Sequence, residues 1–440
     1  MVLTKGEKRL YGPGDDDHKA KQYDSIQQAS SQLCRALKTA CINHQEHSAH
    51  FGLDVDRINL SRIRFEITFN SNTIDTVHSP VWLGIESEFM GKARRFNVNS
   101  CHNTPITSAD PVLSHPTPGF AHKQRISYHL FPWRGFYRSA LHPNSLSSID
   151  LDEAGQCQAS KSEETVHEPP LICLDIHRNL CEHVSLSAQR DVASTQERRL
   201  IGSLNGDEYT KHLVYLIPRR SLGGIGANFS LLDLISSGRR GSITKTISPY
   251  DKLRLARQFA EAVLQFHSTP LLAPTWRSED IIFFDSQEPK KHVKLPRPYL
   301  QVQFRENDLT SHTYPGIDTH GGDSDSEDEN EDGIRNQYLY RLAIMLIEIA
   351  HLEPIDTLYE KHVRAKSENY MQSEYKVLQT LSKNLSIEVG PRFGKVVRRC
   401  LGCTFGQGTK FTDPQLRVSF YRDVVCELEK LEIILREAYT

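Results

Sequence analysis

A guanidinium and a carboxylate stand three residues apart at Arg277 and Asp280, immediately before the apolar run Ile281–Phe284. Asp280 is a candidate ligand for a divalent cation, because hard cations take carboxylate oxygens. Trp276, beside Arg277, has two readings: a platform that stacks on a ligand, or a wedge that fixes its loop against a core. Upstream, Cys41, His44, His47 and His50 follow at three-residue steps, and thiolate and imidazole are ligands that zinc takes. On an α-helix each such step stops about 60° short of a full turn. Cys41 and His50 would then end on opposite faces, and a solvated or capping cluster is the other reading. Cys400-x-x-Cys403 has a redox or metal spacing but lacks the second pair of a zinc ribbon, so a packing pair at a helix end is expected. In the acidic run Asp323–Asp332, Ser324 and Ser326 lie among carboxylates and would suit an acidophilic kinase. A solvated, disordered insertion is the alternative there. Gly223, Gly224 and Gly226 read as a turn rather than a phosphate cradle.

A helix, a loop and a strand must position Arg277 and Asp280. Ser248 is a good N-cap, Pro249 suits the first helical position, and Asp251 puts a carboxylate in the first turn. Leu253, Ala256, Ala260, Val263, Leu264 and His267 recur at helical steps, which marks one face for burial. Thr269-Pro270 ends that helix, since the residue before a proline is driven out of the helical region. Ile281–Phe284 reads as a buried strand. Ile334–Leu352 is apolar nearly all round, as a core helix is. Further helices are expected over Ser373–Leu385, over Phe393–Cys400, and from the cap Asp413 and Pro414 onward.

The N-terminal half reads as a helix over Ser25–His50, then strands in Phe51–Val55, Ile58–Phe69, Val81–Ile85, Ile126–Phe131 and Lys211–Ile217. Asn99–Gly119 and Pro143–Pro170 read as loops or disorder. The organisation expected is a flexible leader, 1–24; a helix plus strand-rich region with disordered insertions, 25–221; and a helical region, 222–440, with an acidic insertion at 318–333.

Hydrophobic residues make up 38% of the chain and charged residues 25%, the composition of a soluble globular protein. A net charge of −2 gives no electrostatic reason to expect nucleic acid or an anionic membrane as a partner. The nine cysteines are an odd number, and the charged N-terminus lacks an apolar signal core. Both features favour reduced thiols in an intracellular, cytoplasmic setting. Leu342–Leu352 is too short to span a bilayer and contains Glu348 and His351, so no membrane span is expected.

The order of helix, loop, Arg-x-x-Asp and apolar strand resembles the catalytic-loop region of eukaryotic protein kinases. Aligned on the strand, Arg277 falls where kinases carry Lys, Asp280 where they carry the metal-binding Asn, and Thr275 where they carry the catalytic Asp. His212–Pro218 resembles the strand leading into the kinase hinge, and Ser230–Ile235 the short helix after it. Tyr340, Leu342, Leu346 and Glu348 resemble the central helix of the helical lobe, with Tyr338 in place of its helix-starting Asp. At the metal-binding Asp-Phe-Gly the nearest match is Gln303-Phe304-Arg305. Phosphoryl transfer depends on a Lys for the phosphates, two metal ligands and a base. Thr275 and Gln303 stand at two of those places, and Lys123 is the least unsuitable lysine. The resemblance implies an α+β, protein-kinase-like two-lobed fold, with a strand-rich N-lobe and a helical C-lobe, that lacks efficient catalysis.

At closer range Leu33–His50, Tyr209–Tyr215, Leu255–Phe284, Arg335–His351 and Val396–Glu429 resemble a group of fungal proteins, the DUF7580 domain family, over roughly residues 25–437. The segments LQFHSTPLL and WRSEDIIFF are the specific ones. The family implies a degenerate kinase-like fold; related fungal kinase-like proteins are associated with self/non-self recognition and regulated cell death, often behind a helical effector domain. Only residues 1–24 precede the resembling region here, so an adaptor or regulator is expected. The main expectation is a catalytically inactive pseudokinase that works as an interaction or signalling module with protein partners and no cofactor. The alternative is an atypical phosphotransferase that binds ATP and Mg²⁺ through Asp280, with Arg277 as a charge clamp. A third idea is a metal protein built on Cys41 and the nearby histidines.

Overall fold

The computed structural model describes residues 15–40, 46–59, 61–70, 80–89, 198–207, 209–218, 225–237, 247–286, 295–305, 334–365, 373–406 and 408–439, with scattered positions between 172 and 187. All belong to one unit, built from residues 1–98 and 171–440. The candidates Cys41, His44, Lys123, Ser324 and Ser326, the expected strand Ile126–Phe131, and Gly223 and Gly224 lie outside the described residues.

Among the described residues nine strands form one sheet: β1 (Glu46–Gly52), β2 (Asp56–Asn59), β3 (Arg62–Asn70), β4 (Val81–Phe89), β5 (Arg199–Asn205), β6 (Thr210–Leu216), β7 (Ile225–Ser230), β8 (Ile281–Ser286) and β9 (Pro298–Arg305). Their order is β5-β6-β4-β3-β1-β9-β8-β7, with β2 pairing on β3, and each of these ladders is antiparallel. The helices are α1 (Asp15–Ala40), α2 (Leu231–Ser237), α3 (Pro249–Phe266), α4 (Gln337–His351), α5 (Ile355–Ala365), α6 (Glu374–Glu388), α7 (Pro391–Gly402), α8 (Pro414–Phe420) and α9 (Cys426–Tyr439). The fold is therefore mixed α+β around an antiparallel sheet.

Side chains alternate across that sheet with the period of two that a pleated strand imposes. Leu83, Ile85, Ile281, Phe283, Leu300 and Val302 enter the main core with the helices. Trp82, Ile282, Phe284 and Tyr299 form a smaller cluster of their own. Its rings meet edge-on, Trp82 to Phe284 at 5.0 Å and Phe284 to Tyr299 at 5.2 Å, the geometry that ring quadrupoles favour. On the main-core side α3 is the hub. It touches α1, α4 and α9, and α1 also lies against β5 and β6.

Three expectations are corrected. The helix foreseen over Ser25–His50 begins at Asp15 and stops at Ala40, and Glu46–Gly52 is a strand. The apolar series Ile26, Ala29, Leu33, Leu37 and Ala40 ends where the helix ends. Beyond it, pairing with β9 from Glu46↔Arg305 to Gly52↔Tyr299 decides the conformation, because sheet context outweighs local preference. The expected strand Ile58–Phe69 is a β2–β3 hairpin, turned at Ser61, whose N–H donates to the Asn59 side chain at 2.9 Å. The single last helix expected after Asp413 is interrupted by a π-helical turn, Tyr421–Val425, between α8 and α9. β7, β8 and β9, all beyond residue 222, complete the sheet that β1 to β6 begin. Among the described residues no helix is long and apolar enough to cross a membrane.

Candidate functional site around the Arg277–Asp280 turn

The local signals that start α3 are all used. Ser248 caps it, accepting from the Asp251 N–H at 3.0 Å and donating to the Asp251 carboxylate at 2.7 Å, and Pro249 opens the helix. Lys252 reaches across to the Ala350 carbonyl at 2.7 Å and so ties α3 to the end of α4. At its other end the imidazole of His267 donates through Nδ1 to the Val263 carbonyl at 2.9 Å, and burial lowers its pKa.

The chain then leaves α3 through Ser268, a non-glycine residue in the left-handed region at φ 57°. Its N–H donates to the hydroxyl of Tyr338 at 3.0 Å, so Tyr338 holds this loop by a neutral oxygen. Tyr338→Phe removes that acceptor. The expected cost is about 1 kcal/mol, as for an ordinary hydrogen bond, read as a small fall in the urea midpoint. A loss of several kcal/mol would mean that the ring, not the hydroxyl, is what holds the loop.

Trp276 is the wedge of this loop rather than a platform. It is 2% exposed and meets Phe259 of α3 edge-on at 6.1 Å. The next residues form a short 3-10 turn, Ser278–Asp280, that feeds directly into β8. Within it the Asp280 carboxylate accepts from the Arg277 N–H at 2.8 Å, and the Asp280 N–H donates to the Arg277 carbonyl at 3.0 Å. Partial burial raises the pKa of Asp280, against the pull of the Arg277 N–H. One oxygen of the candidate cation ligand, Oδ2 of Asp280, thus closes its own turn. Thr275 and the Arg277 residue are exposed beside it, and Gln303 lies exposed on β9, past the Ile281↔Leu300 pair.

Glu348 is the titratable group that sequence reasoning did not place in this site. It sits in the apolar helix α4, 4% exposed, and accepts from the Ile355 N–H at 2.9 Å and from the buried Ser278 hydroxyl. Burial pushes its carboxyl up to about 7, partly offset by those two donors, with Asp356 and Glu279 adding to the rise. The only signal in the chain is a lone Glu in an otherwise apolar helix, which does not say what it faces.

Of the zinc candidates, Cys41 and His44 lie outside the described residues, and His47 and His50 lie on β1, not on a helix. His50 is buried edge-on against Phe284 at 5.2 Å, where burial lowers its pKa to about 4. Among the described residues no group of three or more His, Cys, Asp or Glu is placed to hold a metal ion. Cys400 and Cys403 are free, buried thiols at the end of α7, and Cys403 adopts the left-handed C-cap conformation at φ 48°.

A family model described as a domain of unknown function, DUF7580, matches residues 153–431. The chain belongs to the DUF7580 family. None of the curated proteins matches it. The DUF7580 match starts later than the resemblance over residues 25–437 suggested, and it leaves out α1 and β1 to β4. It does contain α3, the Arg277–Asp280 turn, the β8–β9 hairpin and α4 with Glu348. Yet β1, outside the match, pairs with β9 along its whole length, so the DUF7580 segment shares its sheet with the N-terminal strands.

Proposed function

We propose that this DUF7580 protein is a non-catalytic, protein-kinase-like scaffold, a pseudokinase that works as an interaction or signalling module through protein partners. The observation that carries the reading is the turn at Arg277–Asp280, where one oxygen of the carboxylate accepts from its own turn's backbone. Thr275, at the place of the catalytic base, has no carboxylate to take a proton from an attacking hydroxyl. The order of α3, loop, turn and β8–β9 hairpin beside α4 supports descent of the scaffold from a kinase-like arrangement. The β1–β9 pairing favours a fixed body over the closing cleft that phosphoryl transfer uses. Fungal self/non-self recognition or regulated cell death is the setting that the resemblance suggests.

Thermal unfolding with and without Mg-ATP tests this. Wild type and Asp280→Ala should each unfold at an unchanged temperature when Mg-ATP is added, although Asp280→Ala itself should be about 1 kcal/mol less stable through loss of the cap. A saturable stabilisation of the wild type that grows with ligand as linkage requires, and that Asp280→Ala abolishes, would overturn the proposal in favour of an ATP-binding phosphotransferase.

A further inference from the structure

Away from that turn, a cavity of about 430 Å³ lies between α1, the β1–β2 loop, α3 and the π-helical turn leading into α9. Carboxylates line it from four separate elements: Asp54 on the β1–β2 loop, Asp56 on β2, Glu261 on α3 and Glu429 on α9. Asp54 accepts from the Gln258 amide at 2.7 Å. Both oxygens of Glu261 accept from Arg257, at 2.8 and 2.9 Å, but Arg257 also donates to Glu432 at 2.6 Å, so one cation is shared between two carboxylates. The other arginines of the wall are turned to partners of their own, Arg57 to the Asn59 carbonyl and Arg297 to Glu66.

Two further observations point to a ligand and to its chemistry. Gln265 is 5% exposed, lines the cavity, and its carboxamide oxygen has no hydrogen-bond partner among the described residues. A buried acceptor of this kind is normally satisfied, and here what it lacks is a donor. The aromatic wall is made by Tyr23 and Tyr421, ring centroids 5.9 Å apart, and the ammonium of Lys19 already stands 5.9 Å from the Tyr421 centroid. That is the geometry in which aromatic faces attract cations. Tyr421 and Val425 enter the cavity from the π-helical turn, a distortion frequently found at functional sites. A bare metal ion does not fit, since no three of these groups are placed to hold one.

We propose that this cavity binds a small aliphatic di- or polyamine, whose ammonium groups donate to Glu261, Asp54 and Gln265 while its alkyl chain lies on Tyr23 and Tyr421. The site is independent of the pseudokinase reading. Its pH dependence follows from the groups around Glu261: Arg257 on its own helix, Asp54 on the β1–β2 loop, Tyr23 on α1 and Glu429 on α9. Burial pushes the Glu261 carboxyl up to about 7, Arg257 pulls it down, and Asp54 and Glu429 push it up again. Near neutral pH it is therefore partly protonated, and binding an ammonium expels that proton. The amine stays charged throughout, so affinity should rise with pH.

Spermidine titrated calorimetrically into the full chain at pH 6 and pH 8, in buffers of different ionisation enthalpy, tests the site. The expected result is saturable binding, about tenfold tighter at pH 8 for a group titrating near 7, with net proton release. Glu261→Gln should remove the pH dependence. Asp54→Asn, which keeps an oxygen for the Gln258 amide, should weaken binding several-fold even if Glu261→Gln fails to fold. Absence of saturable binding, binding unchanged in Asp54→Asn, or equal binding of the dianion succinate would overturn the proposal.

Discussion

Glu348→Gln is expected to stabilise the protein at pH 8 and to leave it almost unchanged near pH 4.5. The folded carboxyl titrates near 7, above its ordinary value of 4.5, so the folded state holds a proton that the unfolded state has released across that window. Stability from this group is complete below the unfolded value and is lost as pH rises through the folded one. Above pH 7 the wild type carries a penalty of about 3 kcal/mol for ionising a buried acid, at 1.36 kcal/mol for each pKa unit. Gln does not titrate. Its oxygen can still accept from the Ile355 N–H, and its amide can turn to the Ser278 hydroxyl, so the variant escapes the penalty without emptying the site. Urea unfolding at the two pH values reads this directly. An equal loss of stability at both would mean that a charged acceptor at this position is what the α4–α5 corner needs.

Trp276→Ala should cost about 3–5 kcal/mol, the range for truncating a large core aromatic. The indole is among the largest fully buried side chains, and it fills the space between its loop and Phe259 on α3. Because Arg277 follows at once, the 3-10 turn should loosen along with it, and amide exchange at Asp280 should speed up. Trp276→Phe should cost much less, since the indole N–H is buried with no partner among the described residues and its loss removes an unsatisfied donor. If the alanine variant unfolds within about 1 kcal/mol of wild type, outside the usual range for such truncations, Trp276 is not what holds the loop.

How far the fold could be read depended on the range of the signals. Ser248, Pro249 and Asp251 announce the start of α3, and Asp413 with Pro414 the start of α8, because capping chemistry is local. The apolar run Ile281–Phe284 gave β8 for the same reason. Glu46–His50 reads as helix in the sequence because its partner, β9, lies far along the chain and nothing local records that pairing. The zinc idea rests on residue spacing alone, and two of its four residues, Cys41 and His44, lie outside the described residues. At the turn, Arg277 and Asp280 were found by spacing, but their use for each other needed the backbone conformation. The surroundings of Glu348 and the cavity beside Glu261 depend on three or four distant elements meeting. In the sequence their residues look like an odd acid in an apolar helix and an ordinary polar face.

The seam between β1 and β9 also bears on biosynthesis. One side of β1 finds β3 shortly after it emerges from the ribosome, but its other side has no partner until residues 298–305 have been made. At about 5–20 residues per second, that hydrogen-bonding edge stays bare for on the order of ten seconds or more. A newly made chain of this protein therefore offers a growing strand edge to its neighbours on the same message, the kind of surface that holding chaperones exist to cover.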